Sequence, residues 1–153
     1  MVTMRTAAVE DIPRILAFWQ VAAEDAHRPP DSDTALQRLL ARDPGALLLA
    51  EDEGRLVGSV IAGWDGWRYH LYRLAVAPDR RRQGIGSALL ERAEERFQAL
   101  GGTRADAMVL RENGLAHQAW QANGYRSQPE WARWVKSLAP DERAAPEHRA
   151  RQR

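Results

Sequence analysis

The segment "VAPDRRRQGIGSALLERAEERF", residues 76–97, sets three consecutive arginines and the glycines Gly84 and Gly86 ahead of an amphipathic stretch. A helix that starts here exposes unpaired backbone N–H groups and the positive end of its dipole, and glycine lets an anion approach them without a β-carbon in the way. Arg80, Arg81 and Arg82 add charge-assisted donors. A run of arginines alone reads as a solvated turn and a lone G-x-G as a tight turn. Joined in one continuous segment with Pro78 and an amphipathic helix, they read as a phosphate cradle. It is not a dinucleotide fingerprint, because Leu89 stands where a third small residue belongs. Nor is it a nucleotide-triphosphate loop, which requires Gly-Lys-Ser/Thr.

Other chemistries are thinly represented. The 153 residues contain no cysteine, which removes thiolate nucleophiles, disulfides and cysteine metal sites and suits a reducing compartment. His27, His70, His117 and His148 are scattered without metal-ligand spacing, so no metal is expected. With 22 basic and 21 acidic residues the formal net charge is +1, and no global field points to nucleic acid or a membrane surface. "MVTMRTAAVEDIPRIL" has no signal-peptide core and no segment reaches bilayer-spanning length, so a cytoplasmic protein is expected.

The elements that must position the cradle follow from periodicity. "MRTAAV" reads as a first strand and "EDIPRILAFWQVAAEDA" as a helix with its proline in the first turn. "HRPPDSD" is a loop whose Ser32 or Asp33 caps a second helix ending near Arg42. "ALLLAED" and "RLVGSVIAGW" are strands joined at Glu53-Gly54, and Asp65-Gly66 suits a two-residue hairpin into "WRYHLYRLAV". Ile85, Ala88, Leu89, Ala93, Phe97 and Leu100 form the apolar stripe of the next helix, which Gly101-Gly102 stops. "TRADAMVL" is a strand, "NGLAHQAWQAN" a short helix and "WARWVKSL" a final strand. The hydrophobic content of 44% is enough for one core. The expectation is a single domain over 1–138 with a mixed α/β sheet, helices on both faces, and a polar charged tail over 139–153.

Arg81-Arg82-Gln83-Gly84-Ile85-Gly86, preceded by "LYRLAVAPDR", and "NGLAHQAWQANGYR" with Asn113, Ala116, Gly124 and Tyr125 together resemble the two signature blocks of the GNAT superfamily of N-acetyltransferases. The order of elements is similar from roughly residue 3 to 138. "GWDGWRYHLYRLAV" further looks like a bacterial subgroup of mostly unassigned substrate. The resemblance implies a central sheet in which an antiparallel meander meets splayed parallel strands. It implies acetyl-CoA as co-substrate, its pyrophosphate on Arg81, Arg82, Gln83, Gly84, Ile85, Gly86 and Ser87. The pantetheine arm would lie along Leu74, Ala75 and Val76, facing the strand of Met108 to Leu110, with the Leu74 amide polarising the thioester carbonyl. Asn113 would reach the arm from the other side, or cap its own helix, or do both.

Trp120 departs from the family pattern, in which a tyrosine protonates the departing thiolate; an indole N–H has no proton to give up. Packing is the simpler role for Trp120, and His117, on the same helix face as Asn113 and Trp120, is an alternate proton donor. Tyr72, His70, Glu24 and Asp25 are the nearby options for a general base, with relayed water an equal alternative. The amine acceptor, a small molecule or a peptide, is expected among the first helix, "AHRPPDSD" and the hairpin. Glu24, Asp25, Asp31 and Asp65 would favour a cation there, and Trp19, Trp64 and Trp67 would offer flat apolar surface. A catalytically degenerate acyl-CoA sensor is the competing reading, motivated by Trp120; nucleic-acid binding through "DRRR" is weak because Glu91, Glu94 and Glu95 follow. A homodimer is expected ahead of a monomer, through the edge carrying Trp131 and Trp134.

Overall fold

A computed structural model describes residues 1–23 and 28–139. Its elements run β1 (Val2–Thr6), α1 (Ile12–Ala22), α2 (Asp33–Arg42), β2 (Leu47–Asp52), β3 (Arg55–Trp64), β4 (Tyr69–Val76), α3 (Ile85–Ala99), β5 (Asp106–Ala107) and α4 (Gly114–Ala122), with 3₁₀ turns at Val9–Asp11 and Pro78–Arg80. The five strands lie in sequence order. The first four pair antiparallel, and β4 and β5 pair parallel. This is the mixed sheet the sequence implies.

Helices cover both faces, and adjacent residues of β3 report on each side. A β-carbon at Gly58 would meet Leu89 and Ile85 of α3 at 2.8 and 2.9 Å, so only glycine admits that close approach. Ser59 faces the other way and accepts a hydrogen bond from the Trp19 indole of α1 at 2.8 Å. Covered from both sides, the central strands are apolar in unbroken runs rather than alternating: Leu47, Leu48, Leu49 and Ala50 are all buried, as are Val57, Val60 and Ala62. Ile12, Ile15, Leu89 and Leu90 fill the space beneath the helices.

Local chemistry sets the boundaries. Pro13 sits in the first turn of α1, and the Ser32 hydroxyl accepts from the Ala35 amide at 3.1 Å to cap α2. Glu53 and Gly54 both take positive φ (52° and 78°), as the tight turn between β2 and β3 demands. Before α1, the Asp11 carboxylate accepts from Arg5, Arg14 and the Ala8 amide. The Arg5 hydrogen bonds, more than any other cause, hold Asp11 well below the usual carboxylate range.

Four expectations are corrected. The first strand runs over Val2–Thr6 and not 4–9, because Ala7 already turns into the core and Val9–Asp11 is 3₁₀. The hairpin loop spans Asp65 to Arg68, pairing Trp64 with Tyr69, because the Asp65 carboxylate accepts from the amides of Trp67 and Arg68 and so widens the turn from two residues to four. The strand expected over 103–110 keeps a ladder only at Asp106 and Ala107, since the chain leaves β4 beyond them. "WARWVKSL" forms no strand. Its apolar residues Trp131, Trp134, Val135 and Leu138 lack the period-two alternation that would bury one face, and all four are exposed.

Candidate functional site

The mouth of α3 is built by the backbone. Arg82 and Gly84 both adopt positive φ (62° and 83°), and Gly84 is the N-cap, in the left-handed region that glycine enters without strain. Gly86 is different. A β-carbon there would meet only Val76 Cγ2 at 3.5 Å, an ordinary contact, so the protein's own packing does not require a glycine. The first turn of α3 therefore presents orphan amides with clearance above them. Arg80 is committed, bonding Gln83 Oε1 at 3.0 Å and Asp52 at 2.9 Å. Arg81 and Arg82 are exposed and have no ion-pair partner among the described residues.

The strand leading to this mouth is interrupted twice. On its β3 side the ladder passes from Ile61↔Tyr72 to Ser59↔Ala75, a bulge that sets Arg73 and Leu74 against Val60. Arg73 takes φ 52°, uncommon for a residue with a side chain. Three contacts hold it there. Its carbonyl accepts from the buried Ser59 hydroxyl at 2.9 Å, its guanidinium donates to Asp31 at 2.7 and 3.0 Å, and the same group lies over the Trp19 ring at 5.7 Å. On its other side β4 pairs with β5 only at His70 and Leu71. From Tyr72 to Val76 no strand lies beside it, and Met108 across the gap is exposed. Open strand edges carry unused hydrogen-bonding groups.

The face of β4 toward α1 carries the polar side chains. His70 Nδ1 hydrogen-bonds Asp106 Oδ1, directly opposite in the parallel ladder, and the Tyr72 ring lies 5.9 Å from the imidazole. Burial, reinforced by the carboxylates of Asp106 and Asp65 and opposed by Arg133, holds the Tyr72 hydroxyl above its ordinary range. Asp31 bonds Arg28 at 2.9 Å as well as Arg73. Burial disfavours its charge, but the two arginines outweigh burial and keep it below the usual carboxylate range.

The structure thus brings Tyr72, Leu74, Ala75 and Val76 onto one strand that runs into Arg81, Arg82, Gln83, Gly84, Ile85, Gly86 and Ser87. Asn113 caps α4, its side chain accepting from the Ala116 amide at 3.0 Å. His117 Nε2 donates to the Leu110 carbonyl at 3.0 Å, tying α4 to the segment after β5. Trp120 packs edge-on against Tyr125 at 4.9 Å, and Tyr125 donates to Glu94 of α3 at 2.6 Å. Of the expected acceptor surface, Trp19 is buried with its indole spent on Ser59, and Asp65 is occupied in its own turn. Glu24 and Asp25 lie outside the described residues. Sequence reasoning missed Asp106, Ser59 and Arg73. Only strand register could have revealed them, since their partners lie 36, 40 and 42 residues away.

A bulged strand with an open edge, running into a glycine-rich helix mouth flanked by arginines that have no ion-pair partner among the described residues, defines a class of acyl-transfer fold. The chain belongs to the acetyltransferase (GNAT) family, whose model matches residues 12–125, and it is an N-acetyltransferase. It is 32% identical over 134 residues to an acetyltransferase of Sodalis glossinidius, covering 87% of this chain and 93% of that one. Among solved structures it resembles the PaiA N-acetyltransferase from Thermoplasma acidophilum in complex with coenzyme A, with TM-score 0.76 at 19% identity, over 84% of this chain and 91% of that one. It also resembles the ribosomal-protein-S18-alanine N-acetyltransferase from Escherichia coli, with TM-score 0.65 at 23% identity, over 81% and 77% of the two chains. At these identities the structures speak to the fold alone.

Proposed function

We propose that this enzyme moves the acetyl group of acetyl-CoA onto a primary amine of a small molecule or peptide. The observation that carries the reading is Gly86, a glycine whose missing side chain the protein does not need for itself, in the first turn of a helix flanked by two arginines that have no ion-pair partner among the described residues. Coenzyme A in the Thermoplasma acidophilum relative supports the same co-substrate. Its pyrophosphate would sit on the amides of 82–87 with Arg81 and Arg82 alongside, and its pantetheine arm along the open edge of Leu74, Ala75 and Val76, within reach of Asn113. The Leu74 amide, in the bulge opposite Val60, would polarise the thioester carbonyl. The enzyme's work is then to hold two reactants in line and to take up the amine's proton.

Asp31 is neutralised by two arginines, so it adds little attraction for a cationic acceptor. The exposed Tyr72, Trp64 and Trp67 supply its apolar surface instead. The enzyme is proposed to work in the cytoplasm; among the described residues no helix is long and apolar enough to cross a membrane. The exposed Trp131, Trp134, Val135 and Leu138 favour a homodimer over a monomer, and sedimentation giving a monomer at high micromolar concentration would reject it. The packing of Trp120 against Tyr125 favours one further reading, a degenerate acyl-CoA sensor without turnover.

Release of free CoA across a panel of primary amines, polyamines, aminoglycosides, amino acids and peptide N-termini separates the two. Turnover of at least one amine is expected. Tight acetyl-CoA binding with no turnover anywhere in the panel would leave the sensor.

A further inference from the structure

We infer that His70, held by Asp106, is the base that takes the proton from the incoming amine. The inference rests on the acetyl-transfer reading above and assigns a step that reading leaves without a residue.

The argument begins with register. His70 and Asp106 are direct partners in the parallel ladder, one residue before the Leu71–Ala107 pair beyond which the sheet opens. Their side chains share one face and meet there. A neutral imidazole that donates Nδ1–H to a carboxylate keeps its lone pair on Nε2, where it can accept a proton. The pair is not part of the core: the side chains of His70 and Asp106 are 31% and 47% exposed, so protons and solvent reach them. At about 3.3 Å of strand per residue, Leu74 lies on the order of 10–13 Å along β4. The acceptor amine and one or two waters fit between the imidazole and the carbonyl polarised at Leu74, a relay open to a general base.

The surrounding charges suit this role. Asp65 lies within electrostatic range of His70, and Tyr72, 5.9 Å away ring to ring, stays protonated because burial and the two nearby carboxylates raise it. Arg133 lies within electrostatic range of Tyr72. From α1 the only titratable residue is Arg14, which is engaged with Asp11 and the Gly54 carbonyl. By contrast His117 spends its Nε2 on Leu110.

The step balances as follows. The acceptor arrives as an ammonium and gives one proton through water to His70 Nε2. The freed amine lone pair forms the N–C bond to the thioester carbonyl carbon, and the C–S bond breaks. The nitrogen's surplus proton goes to the leaving thiolate, so that CoA departs as the thiol, and the proton on His70 returns to water.

The test reads His70 by turnover and by titration. In the wild type kcat/KM should rise with pH through an imidazole pKa. His70→Gln should lower kcat by about a hundredfold, abolish that ascending limb and leave the acetyl-CoA dissociation constant within about twofold by calorimetry, which also reports folding. Asp106→Asn, which takes away the carboxylate that orients the ring, should lower kcat severalfold with acetyl-CoA affinity unchanged, and Asp106→Glu should restore part of the loss. Turnover and limb unchanged in His70→Gln would overturn the inference and leave the acetyl-transfer reading standing. So would an Asp106→Asn protein as fast as the wild type. A wild type that binds acetyl-CoA and acetylates no amine would overturn both.

Discussion

The two ends of β4 are built by opposite means. At its C-terminal end the proposed cradle is made of backbone: positive φ at Arg82 and Gly84, a glycine at 86, and two arginines whose charge no other described residue answers. From its N-terminal end to the bulge the titratable and charged side chains named on the α1 face are already paired, His70 with Asp106 and Arg73 with Asp31, which in turn holds Arg28. Backbone amides and open charge suit a fixed anionic partner, because they read phosphate whatever is attached to it. Paired side chains suit chemistry, since each pair fixes a tautomer or a backbone turn. The difference implies that the two ends break separately, and that substitutions sort into those that change acetyl-CoA affinity and those that change the rate.

The largest separation is expected from Gly86→Val. Its side chain would enter the space above the first turn of α3, and the crowding of about 1–3 kcal/mol that overpacking costs corresponds to a loss of acetyl-CoA affinity of roughly 5- to 150-fold. Gly86→Ala sharpens the point, since alanine favours the helix over glycine by about 1 kcal/mol. Its Tm should hold or rise while calorimetry records weaker acetyl-CoA binding. If both variants bind acetyl-CoA as the wild type does, the cradle is misplaced.

Next in size is Ser59→Ala, beside the bulge that lies between the two ends. The Ser59 hydroxyl accepts from Trp19 and donates to the Arg73 carbonyl, so alanine strands a buried indole N–H and a carbonyl at a cost of about 1–3 kcal/mol. With the bulge loosened, the Leu74 amide loses its fixed aim. Denaturant unfolding should show the stability loss and kcat should fall severalfold, while acetyl-CoA affinity changes little. An equal fall in affinity would mean that the bulge supports the cradle as well, and the contrast between the two ends would dissolve.

That contrast also explains what could be read before the structure. The glycine-rich start of α3, its apolar stripe, the Ser32 cap and the glycine stops are local, decided by residues close in sequence, and each stands where the sequence places it. Strand edges are less local. "TRADAMVL" is apolar enough for a strand, but a strand exists only where a neighbour accepts its ladder, and β4 supplies one for two residues. "WARWVKSL" fails for the same want of a partner. Trp19 reads as well for an acceptor surface as for core, and only the packing of α1 on Ser59 decides. The His70–Asp106 pair depends on a parallel register that no spacing encodes.

A smaller effect is expected from Arg81→Ala. Exposed charge contacts contribute about 0.2–1 kcal/mol, so coenzyme A should bind a few-fold more weakly at low salt. A pantetheine analogue without phosphates should be unaffected, and the difference should shrink as ionic strength rises and screens the contact. Equal losses for both ligands would argue that Arg81 acts on the fold of the turn and not on phosphate.

The smallest effect on rate belongs to His117→Ala, and it discriminates between two sources of the leaving-group proton. His117 Nε2 donates to the Leu110 carbonyl, so in its neutral form that nitrogen carries a hydrogen already spent on the backbone, and its ring holds α4 against the chain leaving β5. Removing it deletes one hydrogen bond, about 1 kcal/mol, which lowers Tm by roughly 2–4 °C in a chain of this size. Turnover should stay within about twofold, because a CoA thiolate is a tolerable leaving group at a reference pKa of about 8.5 and the amine's own surplus proton can neutralise it. If His117 were the acid, the wild type would lose activity above the histidine's pKa and the variant would lose turnover severalfold with acetyl-CoA affinity intact. A wild-type profile that rises through the imidazole pKa with no descending limb belonging to a second histidine, together with a variant that is less stable but equally fast, would place His117 in the architecture of α4 and leave proton uptake at the other end of β4.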